Sequence, residues 1–135
     1  MPSDSRHGVP YCFIVRKVLQ QRHLGHAVGA VVSAKRASGI NYLLGSASGL
    51  VLSLETTATN YDVLQLNRGV IAHTNHYVAP ILHSYDRRRE RSTDTIIRYA
   101  RANQLLASHS GSLDAAHFQE LLSRRITATV ARQGA

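Results

Sequence analysis

Residues 69–76 join a short apolar run to a cluster of polar side chains. The run, Gly-Val-Ile-Ala, is typical of a buried strand, and four side chains that can donate or accept hydrogen bonds follow it directly. These are His73, Thr74, Asn75 and His76. Polar groups at the end of a rigid strand are well placed for binding or catalysis. They can also simply satisfy the backbone of a turn, and these eight residues alone favour that second interpretation.

A metal site and a thiol nucleophile are two other candidate chemistries. The eight histidines include His73 and His76, but positions three apart on a strand point to opposite faces, and no cysteine or glutamate nearby completes a ligand set. The single cysteine, Cys12, lies between Tyr11 and Phe13 in the apolar first turns of a helix, where a buried and inert thiol is expected. The sequence therefore predicts neither a metal nor another cofactor.

Length and composition fit one domain of ordinary hydrophobicity. The 135 residues are 44% hydrophobic, and no run of about 18 apolar residues could span a bilayer. The start of the chain lacks the apolar stretch of a secretory signal. One cysteine cannot form an internal disulfide, so a reducing, cytoplasmic setting is expected.

The net charge is +8, and the excess of Lys and Arg is spread along the chain. Its dense basic run is residues 87–91, and such runs are more often solvated loops than binding sites. A net positive field nevertheless attracts polyanions, so a small basic nucleic-acid-binding module is an alternative function. Nucleic acid is the less favoured partner, and a membrane partner is not expected.

Hydrophobic periodicity predicts an α+β fold with two helices, a four-stranded antiparallel sheet and two further helices, in that order. The predicted strands are residues 40–44, 50–54, 61–66 and 70–73. The first helix opens at residues 8–10, and the others cover 24–35, 94 to about 106 and 112 to about 125. Asp94 with Thr95 and then Ser112 are the expected caps of the last two helices.

These elements are expected to form one incomplete domain. Its parts are a flexible start over residues 1–7, helices and sheet over 8–78, a charged loop over 79–93, a helical pair over 94–125 and a tail over 126–135.

Several short pieces of the chain share their order and spacing with one enzyme family. They are Gly8-Val9-Pro10 before a helix with Arg16, Ala37-Ser38, the strand end Leu54-Glu55, the strand Val70-Ile71-Ala72-His73-Thr74-Asn75-His76, and Asp94-Thr95-Ile96-Ile97-Arg98-Tyr99-Ala100-Arg101. Over roughly residues 8–107 the chain resembles the acyl-coenzyme A:isopenicillin N acyltransferase family of N-terminal-nucleophile hydrolases. The specific piece is the strand that ends in His-Thr-Asn-His, whereas Thr95 stands where that family usually has Ser.

The resemblance implies a four-layer αββα sandwich and the cleavage or transfer of an acyl group. In such enzymes an autocatalytic cut exposes an N-terminal Cys, whose α-amino group is the base for its own thiol. The thiolate attacks a small-molecule acyl donor, an amide or an acyl-coenzyme A thioester, and water or an amine resolves the acyl-enzyme. Asn75 matches the catalytic position whose side-chain amide forms the oxyanion hole, and His73, Thr74 and His76 would support the strand end.

The chain departs from the family at the nucleophile. The family's Gly-Cys segment lies well upstream of the Gly-Val-Pro helix, whereas Met1 lies seven residues before Gly8, and Cys12 lies inside the helix and does not correspond to it. We therefore expect an interior fragment of such an enzyme that is inactive alone. Half a sandwich leaves one sheet face uncovered and an edge unpaired, so a companion chain or self-association is expected to complete it.

Overall fold

The structure is a computed structural model, and it describes residues 2–66, 69–87, 93–109 and 111–123. Within these residues the chain forms four α-helices, a three-stranded antiparallel sheet and one 3-10 helix. In chain order they are α1 (Tyr11–Leu19), α2 (Leu24–Val32), β1 (Asn41–Gly45), β2 (Val51–Thr56), β3 (Tyr61–Leu64), the 3-10 helix Pro80–Tyr85, α3 (Thr93–Ser108) and α4 (Ala115–Ser123). The α+β class predicted from the sequence is confirmed.

The main core lies between the sheet and the first two helices. The sheet has the order β1-β2-β3, and Tyr42 of β1 pairs with Leu54 of β2. Because side chains alternate along a strand, Tyr42, Leu44 and Leu54 project from the same face. They form a buried cluster with Ile14 of α1 and Val31 of α2. The apolar sides of the first two helices therefore cover one face of the sheet.

The opposite face of the sheet is polar at its centre. Ser53 Oγ on β2 donates to Asn41 Oδ1 on β1 at 2.7 Å, and Glu55, two residues further along β2, is fully buried. Leu43 lies on the same face and is 63% exposed. This face is therefore covered around Glu55 and open around Leu43.

A buried arginine ends α2. The sequence predicts a helix to residue 35, but α2 ends at Val32. The Nη1 of Arg36 donates to the carbonyl oxygens of Val31 (2.9 Å) and Val32 (3.0 Å), which in a longer helix would accept from backbone N–H groups. Its Nε and Nη2 donate to the carbonyls of Thr57 (2.8 Å) and Asn60 (3.2 Å). Burial lowers the pKa of this guanidinium. Its four hydrogen bonds join α2 to the turn between β2 and β3.

The described residues form a three-stranded sheet that does not include the predicted fourth strand over residues 70–73: Val70 makes a single bridge, and residues 71–74 have no regular secondary structure. Backbone N–H groups just beyond them bind side-chain oxygens and not a neighbouring strand. They are the N–H groups of Asn75, Tyr77, Val78 and Ala79, which donate to Thr95 Oγ1, to Asp86 Oδ2 and to the two carboxylate oxygens of Glu55. These acceptors lie 9 to 24 positions away along the chain, so the backbone donors that follow the predicted strand are satisfied without a sheet ladder.

The start of the chain, expected to be flexible over residues 1–7, is hydrogen-bonded in the structure from its first described residues. Ser3 N donates to the carbonyl of Tyr85 at 2.9 Å, and Arg6 N donates to that of Ala37 at 2.8 Å. Pro2 and Asp86 form an isolated antiparallel bridge. The first residues thus lie against the segment that follows the 3-10 helix.

Two further boundaries differ from the sequence-based expectation. Part of the predicted loop over 79–93 is the 3-10 helix Pro80–Tyr85. Asp114 and not Ser112 caps α4, because its Oδ1 accepts a 2.9 Å hydrogen bond from the backbone N–H of His117. Residues 67–68 between the predicted third and fourth strands, most of the basic run (88–91) and the tail over 126–135 lie outside the described residues.

Candidate functional site

Thr95, in the first turn of α3, joins that helix to the segment carrying the polar cluster. Its side chain is buried, and its Oγ1 accepts the backbone N–H of Asn75 at 2.8 Å. Thr74 Oγ1 in turn donates to the carbonyl of Thr95 at 2.9 Å, and the two hydroxyl oxygens lie 2.9 Å apart. The backbone at Asn75 is therefore fixed to α3 from both sides of one threonine.

His76 is a buried member of the same contact. Its Nδ1 lies 3.1 Å from the hydroxyl oxygens of both Thr74 and Thr95, and its ring meets that of Tyr99 edge-on at 5.4 Å between centroids. Only 7% of the residue is exposed. This position suits a packing and hydrogen-bonding role that holds the segment against α3.

Glu55 holds the segment on both sides of Asn75. Its Oε1 accepts from His73 Nε2 at 2.6 Å and from the backbone N–H of Val78 at 2.7 Å, and its Oε2 accepts from that of Ala79 at 2.7 Å. A carboxylate that accepts several hydrogen bonds can be buried at far lower cost than a bare one. One buried side chain therefore holds residues 73–79 in a loop, which we call the Glu55 loop.

Tyr77 adds a further attachment of the Glu55 loop to the end of β2. Its hydroxyl donates to the carbonyl of Thr56 at 2.7 Å, and its backbone N–H donates to Asp86 Oδ2 at 3.0 Å. Burial, reinforced by the carboxyl groups of Asp4 and Glu55, raises the pKa of the Tyr77 hydroxyl. The hydroxyl therefore remains a neutral donor to that carbonyl.

Asn75 is the exposed member of the polar cluster. Its Oδ1 accepts a 2.9 Å hydrogen bond from Arg98 Nη2, and Arg98 Nε donates to Asp94 Oδ2 at 2.8 Å. The Nδ2 of Asn75 donates to no group in the part of the chain that the structure describes. Its two N–H bonds are therefore available to an acceptor outside the protein, as an oxyanion hole requires.

Cys12 is exposed, so the expectation of a buried thiol is wrong. It lies on α1, whose Ile14 packs on the face of the sheet that carries Leu54. Glu55 follows Leu54 on β2 and projects from the opposite face, where it holds the Glu55 loop. The sheet thus separates α1 from the segment that carries Asn75.

The structure brings together His73, Thr74, Asn75 and His76, and it adds partners that sequence reasoning did not assign. These are Glu55, Thr95 and Arg98. The available signal was Glu55 itself, a charged residue directly after the predicted strand 50–54. In the structure it lies inside β2, where a charged side chain is buried only when it is paired. Within the described residues no group of three or more His, Cys, Asp or Glu side chains could hold a metal ion.

Residues 2–128 match the family described as acyl-coenzyme A:6-aminopenicillanic acid acyl-transferase. The match covers most of the chain, which therefore belongs to this family, and the resemblance inferred from the sequence motifs is confirmed. Membership suggests an acyltransferase and an acyl-coenzyme A substrate. Neither the curated proteins nor the solved structures contain a significant match to the chain. No helix in the described ranges is long and apolar enough to cross a membrane.

Proposed function

We propose that this chain supplies the oxyanion-hole amide of a cysteine-nucleophile acyltransferase or amidohydrolase, and that Asn75 is the donor. The observation that carries the proposal is the orientation of the Asn75 amide. Its oxygen is bound by Arg98 while its nitrogen donates to nothing in the described chain. An exposed amide held in this way presents a donor of fixed direction to a bound carbonyl group.

The chemistry makes use of that donor at one step. A thiolate attacks the carbonyl carbon of an amide or acyl-coenzyme A, a new C–S bond forms, and the carbonyl oxygen becomes an alkoxide. Asn75 Nδ2–H donates to this oxygen and stabilises it without giving up its proton. Collapse of the intermediate expels the amine or the coenzyme A thiol, and water or an amine then takes the acyl group. One such donor is typically worth about 10²–10³ in rate.

The neighbouring side chains support the proposed donor. Thr74 and His76 contact Thr95 on α3, and His73 contacts the buried Glu55, so the segment on both sides of Asn75 is attached to the fold. A catalytic donor must be held to within a fraction of an ångström, and hydrogen-bonded neighbours are the usual means. His73, Thr74 and His76 therefore act as supports in this proposal.

The attacking thiol is proposed to come from outside the 135 residues. Cys12 is a poor candidate because it lies on α1, on the side of the sheet away from the Glu55 loop. Asn75 and Leu43 are both exposed, whereas an oxyanion hole works best where water is excluded. The chain is thus proposed to be one incomplete domain, inactive alone, whose thiol comes from a companion chain; that chain or a second copy covers the exposed part of the sheet.

An added thiol can test this proposal on the chain as it stands. Phenylacetyl-coenzyme A is mixed with the purified chain, with and without cysteine methyl ester, whose thiol and amine imitate an N-terminal cysteine. We expect no acyl transfer without the ester, and with it a rate of N-acyl product formation, measured by mass spectrometry, above that of the uncatalysed mixture.

Single-residue variants then show which side chains are responsible for the protein-dependent rate. Asn75→Ala should remove most of the protein-dependent rate, by about 100-fold or down to the background. Cys12→Ala should leave it unchanged. Asn103→Ala is the matched control, because this amide also lies on α3 but donates to the backbone carbonyl of Tyr99. Turnover without added thiol that Cys12→Ala abolishes, or a rate indifferent to Asn75→Ala, would contradict the proposal.

A further inference from the structure

We propose that Arg98 is a positioning residue for Asn75: it sets which end of the amide faces the substrate. This inference rests on the proposed function, since it concerns the direction of the oxyanion donor. Arg98 Nη2 donates to Asn75 Oδ1 at 2.9 Å, across 23 positions of sequence.

The chemistry of the two groups fixes the orientation of the amide. A guanidinium has donors only, whereas an amide has one acceptor end and one donor end. Turning the Asn75 amide by half a rotation would set its N–H₂ against the N–H of Arg98 and lose the hydrogen bond. The oxygen therefore stays on Arg98, and the N–H₂ group points away from it.

Residue 75 is attached to α3 at two points. Thr95 Oγ1 holds its backbone nitrogen and Arg98 holds its side-chain oxygen. Thr95 and Arg98 are three positions apart and so lie on the same face of the helix. The backbone and the side chain of Asn75 are thus both hydrogen-bonded to the same helix, α3.

Arg98 is itself held by Asp94, one turn earlier on α3. Its Nε donates to Asp94 Oδ2 at 2.8 Å, with the acidic residue on the N-terminal side, which is the favourable order for such a pair. Asp94 also lies in the first turn, where the helix dipole favours a negative charge. The guanidinium is a fork with two of its nitrogens engaged in different directions, which limits its rotation.

Because Arg98 and Asp94 are both exposed, a positioning role of Arg98 can be tested without a large change in the stability of the fold. The Arg98 side chain is 37% exposed and that of Asp94 is 71% exposed. Ion pairs this accessible to water contribute little to folding. Loss of Arg98 should therefore change the direction of the Asn75 amide and leave the unfolding midpoint nearly constant.

The test uses Arg98→Met and Arg98→Glu in the cysteine methyl ester assay, with Asn75→Ala alongside. Arg98→Met should lower kcat about tenfold, and KM for phenylacetyl-coenzyme A should change by less than about twofold, because the lost interaction acts in the transition state. Arg98→Glu should lower kcat further, toward Asn75→Ala, because a carboxylate accepts from the amide N–H₂ and draws the donor away. Arg101→Met is the control, a neighbouring arginine on α3 that contacts Gln104.

The outcomes distinguish the two proposals. A rate indifferent to Asn75→Ala overturns the proposed function. A rate lost in Asn75→Ala but unchanged in both Arg98 variants overturns the positioning role alone. Nitrogen-15 relaxation of the Asn75 side-chain N–H₂ group supplies a readout independent of turnover. We expect greater mobility of this group in Arg98→Met than in the wild type and no change in Arg101→Met. Equal mobility in the wild type and Arg98→Met overturns the positioning role.

Discussion

Glu55 Oε1 lies 2.6 Å from His73 Nε2, and this contact joins the buried end of β2 to the start of the polar cluster. The same carboxylate accepts the backbone N–H groups of Val78 and Ala79. A single side chain therefore binds both ends of the Glu55 loop, with Asn75 between them. The loop pairs with no strand among the described residues, and the carboxylate supplies acceptors that a neighbouring strand would otherwise provide.

Removing the Glu55 carboxylate should destabilise the fold. Glu55→Ala leaves two backbone N–H groups and His73 Nε2 without their acceptor, and Ala79 is fully buried. We expect a loss of about 3–5 kcal/mol in the free energy of unfolding, and about 1–3 kcal/mol for Glu55→Gln, which keeps one acceptor oxygen. Urea denaturation followed by circular dichroism measures both.

The control for this series is Asp62→Ala, across from Glu55 on β3. Asp62 Oδ1 accepts only the backbone N–H of the adjacent Val63 among the described residues. Its replacement should cost less than about 1 kcal/mol. Equal losses for Glu55→Ala and Asp62→Ala would show that the carboxylate does not hold the loop.

Arg36 should be irreplaceable by lysine. Its guanidinium donates to four carbonyl oxygens arranged around it, at the end of α2 and in the turn after β2. A lysine ammonium keeps the charge but cannot reach all four from one nitrogen. Arg36→Lys and Arg36→Met should both lower the free energy of unfolding by about 2–4 kcal/mol. Lys35→Met, at the exposed neighbouring position, should be nearly neutral; a tolerated Arg36→Lys would contradict this account.

Gly39 is required because backbone passes directly over it. A Cβ atom at this position would lie 1.7 Å from the carbonyl oxygen of Thr56 and 2.4 Å from the Cα of Thr57. Backbone atoms at the end of a central strand cannot move aside cheaply, so Gly39→Ala should cost about 2–4 kcal/mol of unfolding free energy. Gly25→Ala is the control: nothing lies within 4 Å of its Cβ, and alanine in α2 should stabilise by about 0.5–1 kcal/mol. Thermal unfolding of both variants distinguishes the cost of the steric clash at residue 39 from the gain in backbone entropy that alanine gives at residue 25.

Periodicity in the sequence was sufficient to predict the helices and strands that face the main core. The alternation around Tyr42 and Leu54, and the helical spacing around Ile14, directly report which side chains face inward. Residues 70–73 have the apolar composition of a buried strand, which is why a strand is predicted there. Composition alone cannot show that the backbone N–H groups after them donate to side-chain acceptors. Those acceptors, Glu55 and Thr95, are about 20 positions away along the chain. Their geometry is tertiary information, which a local pattern does not contain.

The candidate site was found from the sequence by resemblance, while its supporting contacts were not. The His-Thr-Asn-His piece drew attention to Asn75 because the family places an amide there. The hydrogen bond from Arg98 to Asn75 depends on how α3 lies against the segment, and the pairing of Glu55 with His73 depends on where that segment turns. Both follow from packing between elements that are distant in sequence.

Asp4 should make the fold sensitive to acid. Burial pushes the pKa of this carboxyl upward, but hydrogen bonds from the Thr59 hydroxyl and from the backbone of Ala58 and Thr59 outweigh it and hold the pKa below its usual 3.8. Because the folded-state pKa is depressed, the contribution of Asp4 is present above the unfolded-state value and is lost as pH falls through the folded-state value. Urea unfolding should show Asp4→Asn less stable than the wild type at about pH 6, with the difference shrinking at about pH 3. A difference that is constant or grows on acidification would show that these hydrogen bonds do not favour the ionised carboxyl.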